Sequence, residues 1–443
     1  MSAFKAYDIR GIYDKDFNCD TVYKIGFFLK ELFDAKEIAV CFDKRTSSPE
    51  IYENLKKGIT DSGADVHSFG LSTTPMSYYI AANKGYKTTV MITASHNPKE
   101  YNGLKISGPG AVPVGQESGL LKLKEMVENI TPVPCDKKGE EKNFNIKDEY
   151  ILYMKKKLKK VSNLNISIDC SSGMAGLVAR EIFGKKANII LDELDGNFPA
   201  HSPNPLEEKA RKMIIKEVKE NKSDIGIIFD GDADRVMFID NKGRFISPDL
   251  MINVLAYALI ENERERVICD IRSSKSCSDY IKLLGGEPII WKVGHVFAKS
   301  KLRETGALYG GELAGHYYFK EFSYCDSGIL AAIYVLNTVA EWKRDNIRLS
   351  DFIDEFSSWC SSGEINFKTD KKEEIIKRAE EDFKKEHYIK FYDFDGIRFD
   401  FDDWWFNFRM SNTEPYLRLV LEAKNKELME EKLKFIQDKY IKN

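Results

Sequence analysis

Five short apolar runs constrain this chain more than any other feature. Ile38–Asp43 (IAVCFD), Ile166–Asp169 (ISID), Ile225–Asp230 (IGIIFD) and Val267–Asp270 (VICD) are rich in branched residues and close on an acid. Thr88–Thr93 (TTVMIT) is built alike but runs into Ala94 and Ser95. Such runs, lacking polar alternation, suit strands buried on both faces. Helical patterns lie between them. Val22, Ile25, Leu29, Leu32 and Phe33 share one helix face behind Asp20, which reads as the N-cap. Pro49 opens a second helix that stops near Gly63, and segments 206–221, 249–262, 275–285 and 326–343 are also amphipathic. Strand, helix, strand in repetition predicts an α/β fold with covered sheets. Ligands in such sheets sit beyond the carboxyl ends of the strands, where these acids and hydroxyls stand.

The last eighty or so residues differ. A charged helix over 371–387, strands over 390–401, 404–410 and 416–422, and a helix over 425–441 predict a small α+β domain. The polar stretch 134–147 reads as a linker, with weaker boundaries near 245 and 360. A length of 443 residues gives a prior of about three domains. The net charge of −3 provides no footprint for nucleic acid. No apolar run approaches the ~20 residues of a membrane span, and the start, Met-Ser-Ala-Phe-Lys, has no signal-like apolar region. Eight cysteines without a Cys-x-x-Cys point to free buried thiols in a cytoplasmic protein, not to zinc or disulfides.

Four constellations carry chemistry. In Thr93-Ala94-Ser95-His96-Asn97-Pro98, a serine at a strand end faces a crevice, with His96 and Lys105 near in sequence to move its proton or neutralise charge. A strand-ending hydroxyl that only caps a helix is the plainer alternative, and a hydrolase elbow is disfavoured because Gly-x-Ser-x-Gly is absent. In Asp230-Gly231-Asp232-Ala233-Asp234-Arg235, three carboxylates crowd one strand end. Like charges that close are costly unless a cation neutralises them, and oxygen ligands select Mg²⁺ before Ca²⁺. An EF-hand fails because Arg235 and Asn241 stand where Gly and Glu are needed. Gly310-Gly311-Glu312-Leu313-Ala314-Gly315-His316 offers close backbone approach and a carboxylate for vicinal hydroxyls, although a plain tight loop reads equally well. Arg409-Met410-Ser411-Asn412-Thr413-Glu414-Pro415 has the makings of a phosphate cradle or of a polar turn between strands.

Together, the four resemble the α-D-phosphohexomutase family, in its bacterial phosphomannomutase/phosphoglucomutase group. The resemblance spans nearly the whole chain. It includes Phe4–Gly11, Asp43–Pro49, Phe198–Pro205, Val293–His295 and Ser362–Asn366, with Ser-His-Asn-Pro and Asp-Gly-Asp-x-Asp-Arg in order. It implies an α/β, four-domain, heart-shaped phosphohexomutase, with three related mixed α/β domains and a C-terminal α+β domain. The expected divisions are 1–145 with the phosphoserine loop, 146–245 with the metal loop, 246–358 with the sugar loop and 359–443 with the phosphate loop.

The resemblance also implies residue roles. Ser95 carries the phosphoryl group, and Asp230, Asp232 and Asp234 hold Mg²⁺ together with a phosphate oxygen on Ser95. Arg10, His96 and Lys105 surround the phosphoryl group, with Lys105 a candidate acid/base and Arg235 beside the metal loop. Tyr7, Lys292, Gly294, His295, Glu312, Ala314 and His316 line the sugar side. Arg409, Ser411, Asn412, Thr413 and Arg418 grip the phosphate that is not being transferred. The implied activity is a phosphomannomutase, with phosphoglucomutase activity a further option, working through a hexose 1,6-bisphosphate on phosphosugar substrates. No nucleic-acid or membrane partner is expected, and the chain is expected as a monomer or small homo-oligomer. The alternatives are a phosphoglucosamine mutase, a metal-dependent sugar-phosphate phosphatase and a non-catalytic sugar-phosphate binder. Two residues depart from the family pattern: Ala314 stands where a Ser is usual and Arg272 where a Lys is expected, which bears on the preferred sugar.

Overall fold

The computed structural model describes residues 2–184, 187–411 and 415–442. Its four sheets follow one another along the chain, and the first three share one plan. In the first, Glu37–Phe42 pairs in parallel with Asp65–Leu71 and Thr89–Ile92. Thr89–Ile92 then turns back into the antiparallel strand Tyr101–Ser107. In the second, Ile166–Asp169 pairs in parallel with Asn188–Ile190 and Ile225–Phe229, which turns back into Val236–Asp240. In the third, Arg266–Asp270 pairs in parallel with Glu287–Trp291 and Tyr309–Gly311, which turns back into Tyr317–Phe319. A fifth strand, antiparallel to its neighbour, joins each: Ile9–Ile12, Phe245–Ile246 and Cys325–Asp326.

This plan places chemistry. The reversal from the last parallel strand falls at 93–100, 230–235 and 312–316, the segments that hold Ser95, the three aspartates and Glu312. Three unrelated-looking motifs therefore occupy one topological position. The strands leading to them, Thr89–Ile92, Ile225–Phe229 and Tyr309–Gly311, are wholly buried. Helix Gly328–Arg344 packs against helix Leu250–Leu259 and the second-sheet strand Val236–Asp240, with Ile329, Leu330, Ile333 and Leu336 fully buried. Each such side chain contributes about 1.5–3 kcal/mol. One apolar core runs without a break from Ala39 in the first unit through Ile227 in the second to Leu336 in the third.

The fourth sheet is antiparallel throughout, in the order Cys360–Lys368, Tyr416–Ala423, Trp404–Met410, Ile397–Asp400, Lys390–Tyr392. Its separate core is aromatic, centred on Phe383, Phe399, Trp404 and Phe406. No helix among the described residues is long and apolar enough to cross a membrane.

Several local expectations change. The first helix, Cys19–Phe33, is capped by Asn18, whose side chain accepts from the Thr21 amide, and Asp20 lies inside the first turn. The helix expected over 206–221 forms only at Lys212–Glu220. Pro205 and the Asn204 turn, in which the Leu206 amide donates to the Asn204 side chain, occupy the stretch before it. The stretch 390–401 is two strands, Lys390–Tyr392 and Ile397–Asp400, because Gly396 reverses the chain at φ +68°. Part of the presumed linker, Glu141–Asn143, joins the edge of the first sheet in parallel with Asp65–Leu71. Five of the eight free cysteines are buried, whereas Cys135 is exposed.

Candidate active site

The reversals of the first and second sheets meet face to face. Ser95 is buried, adopts φ +52°, and its Oγ donates to Asp230 Oδ2 at 2.7 Å. A serine in the left-handed region costs on the order of 1–3 kcal/mol and persists only where its surroundings enforce it. Here the Ser95 amide donates to Thr93 Oγ1 at 3.0 Å. Gly231 presses on the same loop: a β-carbon there would lie 2.5 Å from the Ser95 carbonyl oxygen. Asp230, Asp232 and Asp234 alternate along the turn, and the intervening Ala233 at φ +63° lets all three carboxylates converge to within 4.8 Å of one another.

The electrostatics of this cluster are uneven. Burial pushes the Asp230 carboxyl well above its ordinary range, and its neighbours Asp234 and Asp232 push it further. Burial acts likewise on Asp232, but Lys105 and Thr74 outweigh it and leave that carboxyl lowered. Lys105 Nζ lies 2.8 Å from Asp232 Oδ2 and 2.5 Å from Asp234 Oδ2, and Thr74 Oγ1 donates to Asp232 at 2.6 Å. Burial works against the Lys105 ammonium, yet the two carboxylates prevail and raise it, so in this arrangement Lys105 is a fixed cation. Asp232 Oδ1 and Asp234 Oδ1 are buried without a hydrogen-bond partner among the described residues. Orphaned carboxylate oxygens in a cluster of this kind fit a hard divalent cation.

Around Ser95 stand the expected helpers. Arg10 Nη1 donates to Asn97 Oδ1 at 2.9 Å and pairs with Asp8 through Nη2, while its buried Nε lacks a partner among the described residues. His96 Nδ1 is 3.3 Å from Ser95 Oγ, and burial, then Arg235 and Arg10, hold that imidazole neutral. Arg235 donates through its amide to Asp230 and through Nε to His316 Nε2 at 2.9 Å, joining the second and third reversals.

The third reversal forms the adjoining wall. Buried Glu312 accepts from the Gly294 amide at 3.0 Å, and burial raises its carboxyl, partly offset by His316. Gly294, at φ +124°, packs against Tyr7, where a β-carbon would come within 3.2 Å of the ring. Tyr7 meets His295 edge to face, and Lys292 lies over Phe297. Ala314 is half-buried beside Glu312. The fourth sheet places Arg409 opposite Arg418 in register, and Arg418 donates to Glu364 at 3.3 Å. Arg409 and Asp395 both act on Tyr7, so the fourth sheet reaches the same cleft. Ser411 is buried and its amide donates to the Tyr416 carbonyl, whereas Asn412 and Thr413 lie outside the described residues. A cavity of about 430 Å³ between the third unit and the fourth sheet is lined by Asp249, Arg272, Ser274, Leu313, Glu364 and Glu422, and no residue of the Ser95 centre borders it.

Three contributors escaped the sequence reading. Thr74 was not singled out because its bond to Asp232 spans 158 positions. Buried Lys299 and Asp326 form an ion pair at 2.6 Å, and Asp326 Oδ2 lies 2.7 Å from His316 Nδ1, which backs the imidazole that meets Arg235. The one trace of Asp326 in sequence is a polar Asp-Ser pair placed directly before a strongly apolar helix.

With this geometry in hand, comparison with known proteins gives a consistent picture. Models of phosphoglucomutase/phosphomannomutase domains match in order: alpha/beta/alpha domain I over residues 1–133, domain II over 148–243, domain III over 247–358 and the C-terminal domain over 364–439. A phosphomannomutase of Methanocaldococcus jannaschii is 36% identical over 445 residues, covering 99% of this chain and 97% of its own. One from Escherichia coli is 36% identical over 437 residues, covering 96% and 95%. The crystal structure of a phosphoglucomutase/phosphomannomutase family protein from Burkholderia thailandensis superposes with TM-score 0.86 at 28% identity, covering 99% of this chain and 97% of that one.

Proposed function

The chain belongs to the phosphoglucomutase/phosphomannomutase family, and from that premise we propose that it is a phosphomannomutase, also accepting glucose phosphates, that interconverts hexose 1-phosphate and hexose 6-phosphate. The observation that carries this reading is Ser95 Oγ, 2.7 Å from Asp230 at the meeting of two strand-end loops, with Arg10 and Lys105 around it. Phosphorylated Ser95 gives its phosphoryl group to O6 of a hexose 1-phosphate. The O6–P bond forms, the Oγ–P bond breaks, and the proton of the sugar hydroxyl leaves. The 1,6-bisphosphate then turns end for end, and its 1-phosphate returns to Ser95.

Phosphoryl transfer is governed by positioning and charge stabilisation. Arg10 offers its guanidinium to the phosphoryl oxygens, and Lys105 adds fixed positive charge beside them. His96, neutral and 3.3 Å from Oγ, fits the movement of the proton. Asp230, Asp232 and Asp234 would hold Mg²⁺, which when bound draws negative charge from the phosphoryl oxygens. On this reading Glu312 reads sugar hydroxyls beside His295 and Tyr7, and Arg409 with Arg418 grips the resting phosphate. A cytoplasmic location goes with this reading, supported by cysteines that form no disulfide.

A coupled assay on mannose, glucose and glucosamine 1-phosphates, with free phosphate followed in parallel, tests the proposal. Formation of the 6-phosphates of mannose and glucose at the higher rates, without phosphate release, supports it. Preference for glucosamine 1-phosphate, or phosphate release as the main reaction, contradicts it.

A further inference from the structure

The segment Asp43–Pro49 was singled out in sequence without a role. The structure gives Arg45 an arrangement that points to one. Arg45 is among the largest fully buried side chains of the protein. Its Nη2 donates to the carbonyls of Ser95 and Asn97, each at 2.7 Å. Its Nη1 donates to the carbonyls of Pro98 at 2.7 Å and Tyr101 at 3.1 Å. Three of the acceptors lie in the loop that carries Ser95, and the fourth, Tyr101, opens the strand that leaves it. We propose that Arg45 is the positioning residue of the phosphoryl carrier, holding Ser95 in its left-handed conformation so that Oγ stays against Asp230.

The guanidinium is itself held on two sides. Asp43 Oδ2 lies 3.2 Å from Nε, and the other oxygen of that carboxylate accepts from the Arg45 amide and from Ser48 Oγ. Asn102, on the strand leaving the Ser95 loop, donates to Ser48 Oγ at 3.0 Å and so closes the circuit. On the other side stands Phe198 of the second unit, its ring centroid 5.1 Å from the guanidinium carbon. The loop bearing Phe198 seats tightly: a β-carbon at Gly196 would lie 2.2 Å from the Lys44 carbonyl oxygen. The two segments 43–49 and 198–205 thus act on one loop. The second unit supplies the carboxylate that meets Ser95 Oγ and also a wall that keeps the loop's clamp in place.

The chemistry selects arginine. A rigid fork of donors can satisfy four diverging carbonyls at once, whereas a lysine ammonium is a single point charge with three donors. The left-handed Ser95 conformation needs such overdetermination. Released, the loop would relax and carry Oγ away from the line of transfer, and a displacement of about 1 Å at a reacting group costs on the order of 10²-fold in rate.

This inference rests on the reading of Ser95 as phosphoryl carrier, and the test separates the two. Arg45→Lys, Phe198→Leu and Ser95→Ala are purified, and their folding is checked by circular dichroism and thermal denaturation. Steady-state kinetics are measured, together with single-turnover transfer from Ser95 preloaded by hexose 1,6-bisphosphate. For Arg45→Lys we expect kcat and the single-turnover rate to fall on the order of 10²-fold with KM near the wild-type value, because the sugar and its resting phosphate dock elsewhere. Phe198→Leu should lower the same two rates by a smaller factor. If Arg45→Lys does not fold, Phe198→Leu decides alone: lowered kcat at unchanged KM supports the role, and wild-type kcat overturns it. Wild-type rates in folded Arg45→Lys, or a loss confined to KM, also overturn it. An inactive Ser95→Ala beside a fully active Arg45→Lys removes only the role of Arg45. A fully active Ser95→Ala removes the phosphoserine reading and this inference with it.

Discussion

Two junctions in this molecule are built differently. Where the first unit meets the second, buried groups bond directly across the boundary: Ser95 with Asp230, Lys105 with Asp232 and Asp234, and Thr74 with Asp232. Both units also share one continuous apolar core. The fourth sheet has an aromatic core of its own and docks onto the loops of the third unit. Arg398 donates to the carbonyls of Ile271 and Ser273, Asp395 accepts from the Val293 amide, and Arg272 reaches Glu364. On the proposed reading, the first junction fixes the reacting groups and the second carries the phosphate cradle. A sugar that must present both ends in turn is served by this division, with one rigid centre for transfer and a separately mounted grip for whichever phosphate is at rest.

The comparison can be broken most sharply at its rigid side. Ser95→Ala is expected to lower mutase turnover by on the order of 10³-fold or more, because no other hydroxyl occupies that position. The coupled assay checks it, and near-normal turnover would leave the first junction without its central role. Arg409→Ala addresses the other side. Loss of a charge-assisted contact there is expected to weaken sugar-phosphate binding by about 1.5–3 kcal/mol, seen as a raised KM in the same assay. An effect on kcat alone would mean that the fourth sheet takes part in the transfer step.

The second junction also carries a titrating group. Glu422 is buried, accepts from Ser274 Oγ and Trp405 Nε1, and is pushed up to about 7 by burial and then by Asp249. A carboxyl raised in the folded state binds its proton more tightly there than in the unfolded chain. Folding is therefore favoured below the unfolded value near 4.5, and stability is lost as pH rises from there through about 7. Glu422→Gln keeps an acceptor and removes the charge. Its thermal midpoint should exceed that of the wild type at pH 8 by an amount equivalent to about 1–3 kcal/mol and converge with it near pH 4.5. Parallel melting curves across this range would show that the fourth-sheet junction does not sense pH through Glu422. The smallest expected effect is at the sugar wall. Ala314→Ser adds one hydroxyl beside Glu312, and the ratio of kcat/KM between mannose and glucose 1-phosphates should shift by an amount equivalent to about 0.5–1.5 kcal/mol. An unchanged ratio would show that position 314 does not read the sugar.

Much of the candidate centre was legible because it sits at strand ends. A buried strand writes an apolar run into the sequence, and the polar residue that closes it stands out. Ser95 and Asp230 were found that way. The shared plan of the three sheets was less visible, since the fifth strand of the first sheet, Ile9–Ile12, precedes the others in sequence while its counterparts follow. The edge strand Glu141–Asn143 is exposed and charged, so its partner strand, not its composition, makes it a strand. Arg45 binds backbone carbonyls, which leave no mark on residue identity. Asp326 and Lys299 meet only when a helix folds back across the sheet. The role of Lys105 depends on carboxylates 127 and 129 positions away, which is why its fixed charge could not be read from its neighbours.

The central claim is that Ser95 carries the phosphoryl group between the two ends of one sugar. Incubation with hexose 1,6-bisphosphate followed by intact-mass and peptide mass spectrometry tests it, with a chase of hexose 1-phosphate. The account predicts a gain of about 80 Da, one phosphoryl group, located on Ser95 and transferred to the sugar during the chase. A protein that never gains this mass, gains it elsewhere, or releases it as free phosphate during the chase would contradict the account.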